Sequence, residues 1–399
     1  MKRHILAAIV LFGVMTSPAV PAPQAQLGPD VVIGKTIVLN SKLLGEERQL
    51  LVRTPEGYDG SRDRFPVLFV LDGRDYFDAA VAIVQHRAAC GQFPEMIVIG
   101  VSNTDRGRDM TPSRSDLDAE GNPAPRFRNS GGADKFLRFF KTELIPYIDE
   151  NYRTRPFRII AAHSLSALFV IHTFLTGPDV FGAYIAISPS LWWDGKVLLR
   201  RAEERLAGLK AAGRFFFFSI GGLESEMMSG NVQHLFRLFY EYAPAGLMWK
   251  LDRLENESHG SQALRALDDG LAFVYAGWEV PLRTIGLGLD AVGRHFEGLR
   301  ETYGYDIEPS ADDLEIFGLT ALELKRPGSA VEFFSAAVKL RPSAARGYDL
   351  LGQAQEAAGR IEEARSNYEL ACQKAAVGDT GLPEYKKHLE NVQKKLPRK

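Results

Sequence analysis

The sequence predicts an α/β protein, a mostly parallel sheet wrapped by helices, followed by a small all-α part. Three observations carry that expectation. Short apolar runs alternate with helical periods between residues 35 and 276, and one of those runs enters a tight His-Ser turn that continues directly into an apolar helix. Beyond residue 309, small and aromatic residues recur at a spacing of 34. With 399 residues and 45% hydrophobic content, the chain is long enough for two domains and apolar enough for a sizeable core.

The elements follow in order. Lys2 and Arg3 precede an apolar run at 5–15 and then small residues and prolines at 16–25. This three-part layout reads as a secretory signal peptide, residues 1–25, with Ser17-Pro18-Ala19 the best cleavage match and Ala22 and Ala25 as alternatives. The run is far shorter than the ~20 residues of a membrane-spanning helix. The expectation is therefore an exported chain, periplasmic or secreted, with no stable membrane insertion after cleavage. Residues 35–39 and 48–55 read as antiparallel strands, the second stopped by Pro55 and Gly57. Runs at 67–71, 96–101, 158–161, 184–187, 215–220 and 248–254 suit strands in a helix-covered sheet. Between them, Phe136, Phe140 and Leu144 recur at helical spacing within 133–149, and a last helix is expected at 263–276. These elements define a first domain at 26–283. A helical connector is expected at 284–308, with its helix at 289–303.

In the segment 309–399, Gly318 and Gly352, Ala330 and Ala364, Phe334 and Tyr368, and Ala337 and Ala371 are each 34 residues apart. This spacing resembles tetratricopeptide repeats, in which small residues let two helices approach and the aromatic fills the gap. A terminal helix at 384–395 would cap so short an array, and such repeats imply a protein partner.

Lys plus Arg (48) and Asp plus Glu (50) nearly cancel, so nothing electrostatic points to nucleic acid or an anionic membrane. The two cysteines, Cys90 and Cys372, exclude a disulfide framework and read as buried thiols, with an inter-domain bridge the alternative. Gly34-Lys35-Thr36 lacks the partner glycine of a phosphate loop, where Pro29 stands, and it precedes a strand. No His or Cys spacing fits zinc, so neither cofactor nor metal is expected.

Ser164, in Ala162-His163-Ser164-Leu165-Ser166, occupies the place of a nucleophile elbow, a strained strand-to-helix turn that exposes a serine. Capping of the following helix is the plainer role for such a serine. A serine nucleophile needs a base, and His259 stands in a polar turn after the run 248–254. The base needs a carboxylate. Glu224, in the turn after 215–220, is the candidate and Glu226 the fallback. The order Ser164, Glu224, His259 is that of α/β-hydrolases. The amide of Leu165, with that of Gly73 or Arg74 after the run 67–71, would form the oxyanion hole. Trp192 and Trp193 follow a strand end and are candidates for a substrate pocket, with core packing the alternative. Arg106, Arg108, Arg114, Arg126 and Arg128 are candidates to meet an anionic substrate, and 110–129 is a candidate lid.

Leu71-Asp72-Gly73, Asn103-Thr104-Asp105-Arg106, Gly131-Gly132-Ala133-Asp134, His163-Ser164-Leu165, Ile187-Ser188-Pro189-Ser190-Leu191-Trp192-Trp193 and Ser258-His259-Gly260-Ser261 together resemble the esterase-D-like putative esterases, α/β-hydrolases related to siderophore esterases. The resemblance covers residues 37 to 278 and implies a serine ester hydrolase acting on small-molecule esters, with Ser164 as nucleophile and His259 as base. The family's elbow reads Gly-His-Ser-x-Gly-Gly, and this chain departs from it at Ala162, Ser166 and Ala167. A catalytically impaired adaptor that recruits a partner through its repeats, and an acyltransferase, are the competing expectations.

Overall fold

The computed structural model describes residues 28–396; the segment expected to be a signal peptide lies outside the described residues. Residues 28–33 carry no regular secondary structure. From Gly34 onward the chain is one compact unit.

Its centre is one eight-stranded sheet in the order β1-β2-β4-β3-β5-β6-β7-β8. The strands are β1 (Lys35–Ser41), β2 (Glu46–Arg53), β3 (Phe65–Leu71), β4 (Ile97–Val101), β5 (Thr154–His163), β6 (Ala183–Ile187), β7 (Phe215–Gly221) and β8 (Met248–Leu254). β2 runs antiparallel to both β1 and β4, and every pairing from β4 through β3 to β8 is parallel. The apolar runs explain this arrangement. Every residue of β3, β4, β6 and β7 is buried, as strands covered by helices on both faces require. The edge strands β1 and β8 keep exposed positions. β5 begins four residues before the apolar run at 158, because Thr154 pairs with Phe65 across an irregularity in β3 that hydrophobicity alone does not reveal.

The helices are α1 (Gly73–Ala89), α2 (Arg106–Met110), α3 (Ala133–Phe139), α4 (Ile145–Asn151), α5 (Ser166–Thr176), α6 (Trp193–Arg205), α7 (Glu226–Tyr242), α8 (Gln262–Val274), α9 (Leu282–Gly286), α10 (Leu289–Tyr303), α11 (Ala311–Glu323), α12 (Pro327–Leu340), α13 (Ala345–Ala357), α14 (Ile361–Lys374) and α15 (Leu382–Gln393). A π turn at Phe140–Leu144 joins α3 to α4. Strand alternation divides the core: Val67, Phe69 and Leu71 face a cluster with α3, α5, α6 and α7, while Leu68 and Val70 face one with α1 and α8. Helix α5 is buried from Ser166 to Leu175 and forms the interior of its layer.

The chain leaves β3 toward β4 on one side, and β5 toward β6 on the other. The C-terminal ends of β3 and β5 therefore flank the point where strand order reverses, the place where open α/β sheets leave a crevice.

The second core cluster does not stop at the sheet. It continues through Phe296 and Tyr303 of α10 to Leu314, Phe333 and Leu350 of α11, α12 and α13. Tyr303 packs its ring 5.2 Å from Phe157 and 5.3 Å from Tyr275, and its hydroxyl donates to the Val274 carbonyl at 3.0 Å. Within the helical part, a Cβ on Gly318 would meet Phe334 at 2.6 Å and one on Gly352 would meet Tyr368 at 2.7 Å. The same glycine-to-aromatic contact thus recurs at the 34-residue spacing. Both cysteines are free; Cys90, expected inside, is exposed where α1 ends, and Cys372 is half-buried. Among the described residues no helix is long and apolar enough to cross a membrane.

Candidate active site

β5 delivers the chain to Ser164, which adopts φ 61°, in the left-handed region, before α5 begins at Ser166. Such a backbone costs a non-glycine residue about 1–3 kcal/mol and persists where its surroundings over-determine it. Here the Ser164 amide donates to Ile187 of β6 at 2.9 Å, and the Ser190 amide donates back to the Ser164 carbonyl at 3.2 Å. The turn holds Ser164 Oγ 2.8 Å from His259 Nε2, and His259 Nδ1 lies 2.7 Å from Glu224 Oε2. Ser164, Glu224 and His259 come from the loops after β5, β7 and β8. Glu226, the fallback acid, is the exposed first residue of α7, and it is Glu224 that meets His259.

The loops carrying Glu224 and His259 are zipped together. The Gly222 amide donates to Leu254 at 2.8 Å, and that of Leu223 to Glu257 at 3.0 Å. This closeness is why two glycines stand there: a Cβ on Gly221 would collide with the Glu257 carbonyl, and one on Gly222 with that of Glu255. Gly222→Ala is therefore expected to cost about 1–3 kcal/mol by overpacking and to shift Glu224 away from His259. Thermal melts and ester turnover on the same preparation check this, and an unchanged pair of values would contradict it.

The Glu224 side chain is 1% exposed. Burial pushes its carboxyl up, but hydrogen bonds from His259, Ser188 and the Gly221 amide outweigh burial and hold it below the ordinary range. Oε1 accepts from the Gly221 amide at 3.0 Å and from Gln262 Nε2. Oε2 faces His259. Ser188, fully buried with φ 43°, lies 2.7 Å from both carboxylate oxygens and 2.9 Å from His259 Nδ1. Neither Ser188 nor Gln262 stands out in the sequence. The signals for Ser188 are its place at the end of a strand and in the run Ile187–Trp193 that carries the family resemblance, neither of which gives it a role.

His163, immediately before Ser164, is also part of the assembly. Its Nε2 lies 2.7 Å from the His259 carbonyl and its Nδ1 2.9 Å from the Tyr76 hydroxyl. A carbonyl only accepts, so the proton is on Nε2 and Nδ1 accepts from the phenol. Burial, then repulsion from His259, pulls the His163 imidazole down to about 4, partly opposed by the bond to the His259 carbonyl. The unfolded chain takes up this proton near 6.5 and the folded one near 4, so stability falls as pH drops across that window. Loss from this group totals on the order of 3 kcal/mol. Glu224, with its lowered carboxyl, adds a loss in the same direction. Denaturant melts between neutral pH and pH 4 are expected to show a smaller loss in His163→Gln than in the wild type.

The oxyanion candidates divide. Leu165 lines the cleft beside Ser164, whereas neither Gly73 nor Arg74 is among its walls. The left-handed residue in the loop after β3 is Asp72, with φ 51°. Gly73 also carries a steric constraint: its Cβ would lie 2.6 Å from the Gly100 carbonyl carbon in β4. The guanidinium of Arg74 is engaged with Gln49 Oε1 at 2.6 Å.

The cleft has a volume of about 570 Å³, and Arg106, Arg126, Phe127, Ser190 and Trp192 join Ser164 and Leu165 in its walls. Trp193 does not. It is 1% exposed, stands edge-on to Phe127 at 4.9 Å and donates from Nε1 to the Ser113 carbonyl at 3.2 Å, so the pocket expected of both tryptophans belongs to Trp192 alone. Of the five arginines, Arg108 is absorbed by Glu46 and Asp109, and Arg106 pairs with Asp72. Arg114 and Arg128 are exposed and outside the cleft wall, which leaves Arg126, stacked on Phe127 at 4.8 Å.

Residues 41–213, which span the elbow and the loop after β3, match the family model described as Putative esterase. Over that stretch the chain is similar to the putative esterases. The activity class of this esterase is carboxylic ester hydrolysis. It is 29% identical over 212 residues to the ferri-bacillibactin esterase BesA of Bacillus subtilis (strain 168), covering 49% of this chain and 73% of that one. It is 26% identical over 259 residues to the siderophore enterobactin esterase of Emericella nidulans, covering 55% and 85%. In structure, the esterase is similar to an IroE-like serine hydrolase from Shewanella oneidensis, with a TM-score of 0.70 at 26% identity over 76% of this chain and 98% of that one.

Proposed function

We propose that this esterase is an exported serine hydrolase that opens small, siderophore-like esters through an acyl-enzyme. The observation that carries the mechanism is the unbroken run of contacts from Ser164 Oγ through the His259 ring to Glu224. As Oγ attacks the ester carbonyl carbon, His259 Nε2 takes its proton. The ionised Glu224, held in that state by its hydrogen bonds, faces Nδ1–H and stabilises the imidazolium that forms. The amide of Leu165, with one from the first turn of α1, receives the negative charge on the former carbonyl oxygen. His259 then returns the proton to the departing alkoxide. Water, deprotonated by the same nitrogen, releases the acid and restores Ser164.

The siderophore-like substrate class rests on the names of the two relatives and on a cleft large enough for a small ligand. Export rests on the layout of residues 1–25. A fluorophosphonate probe tests the mechanism. It is expected to label the wild type and not Ser164→Ala, and an unlabelled wild type would overturn the reading. A panel of simple and siderophore esters then tests the substrate class.

A further inference from the structure

Ser166 stands where the family's elbow carries glycine, and two readings of it oppose each other. A side chain added beside a strained nucleophile can simply overfill the turn. The geometry points to the other reading: we propose that Ser166 is a positioning residue, whose hydroxyl ties the nucleophile elbow to the oxyanion loop through Asp72. This inference rests on the serine-hydrolase reading of the site.

Ser166 Oγ donates to Asp72 Oδ1 at 2.9 Å, and the two residues are 0% and 2% exposed. Asp72 is the left-handed residue that turns the chain from β3 into α1, directly before the amides of Gly73 and Arg74. Its carboxylate is a hub. Arg106 grips it with Nε on Oδ1 at 2.9 Å and Nη2 on Oδ2 at 2.8 Å, and Asn103 Nδ2 donates to Oδ1. Arg106 Nη2 also donates to the carbonyl of His163, the residue before the nucleophile, at 3.2 Å.

The elbow is thus held to Asp72 from both sides of Ser164, indirectly at residue 163 and directly at residue 166. A backbone at positive φ keeps its shape only while its surroundings fix it, and the amides that follow Asp72 can serve an oxyanion only if their distance from Ser164 is fixed. With glycine at 166, the direct tie is gone and Asp72 answers to Arg106 and Asn103 alone. No solvent competes for this hydroxyl, since its site is closed to water.

The test uses the full chain as wild type, Ser166→Gly, Ser166→Ala and Ser164→Ala, with a p-nitrophenyl ester as substrate and an alkyl boronic acid as tetrahedral mimic. Losing the tie is expected to lower kcat by about 10- to 100-fold in both Ser166 variants. KM should change little, and boronate affinity should fall by the same factor as kcat. A purely structural serine would lower the melting temperature and leave the kcat to KM split and the boronate affinity unmoved, which would overturn the proposal. Wild-type or faster turnover in Ser166→Gly would overturn it too, in favour of an overfilled elbow. If those results come with an inactive Ser164→Ala, the serine reading stands and only the tie falls. Undiminished turnover in Ser164→Ala would remove both.

Discussion

Ser164→Ala is expected to lower kcat on p-nitrophenyl esters by roughly 10⁶-fold, with the melting temperature close to that of the wild type. The size follows from the unit the residue belongs to. Without Oγ, His259 Nε2 has no proton to take and the acyl-enzyme has no oxygen to form on. The fold should be indifferent, because alanine suffers at φ 61° about what serine does, and the hydroxyl's remaining contact, with Ser190 Oγ, is a long 3.4 Å. Steady-state kinetics with a purity control against contaminating esterases provide the measurement. A variant that keeps more than about a hundredth of the wild-type kcat would place the nucleophile elsewhere.

Glu224→Gln is expected to lower kcat by about 10⁴-fold, a loss set by which end of the new amide faces which partner. Oε1 of Glu224 accepts from the Gly221 amide and from Gln262 Nε2, two donors that a glutamine NH₂ cannot satisfy. The amide oxygen must therefore take the Oε1 place, and the NH₂ turns toward His259 Nδ1. A donor there forces the imidazole proton onto Nε2, where it can no longer accept from Ser164. Glu226→Gln, altering an exposed residue at the start of α7, is the matched control and should turn over as the wild type does. Kinetics on the two variants side by side decide the matter, and equal losses in both would remove Glu224 from the role of acid.

The residues legible in the sequence are those whose chemistry restricts them to a few types in a fixed order. A serine between an apolar strand and an apolar helix, a carboxylate after the Phe-rich strand and a histidine after β8 all stand at strand ends, where polar groups are conspicuous against apolar runs. The residues that orient them were silent for the opposite reason. Ser188 and Gln262 are ordinary polar residues whose importance comes from being buried beside Glu224, and burial of that kind depends on pairings between distant strands. Gly73 was legible as a special position, but one constraint on it was not. Its missing side chain makes room for β4 at Gly100, a contact between elements that no local pattern encodes. The tryptophan pair failed as a unit because neighbours entering a helix point apart, so one ring lines the cleft and the other fills the core. Cys90 misled through a general tendency: most free cysteines are buried, and this one ends α1 at the surface.

The core cluster that runs from Phe157 and Tyr275 through Tyr303 into α11, α12 and α13 has a consequence for how the molecule melts and how it can be cut. Chains whose parts share a continuous apolar interior lose it together, so heat is expected to unfold the sheet and the helices up to α13 as one cooperative transition. A stop codon placed before α10 would not release a minimal enzyme. It would strip the cover from Phe157, Phe215 and Tyr275, leaving an aromatic surface open to water and to other copies of itself. Deletions aimed at the helical tail therefore read out solubility before they read out recognition, and the smallest faithful fragment of this esterase extends well past the loop that carries His259.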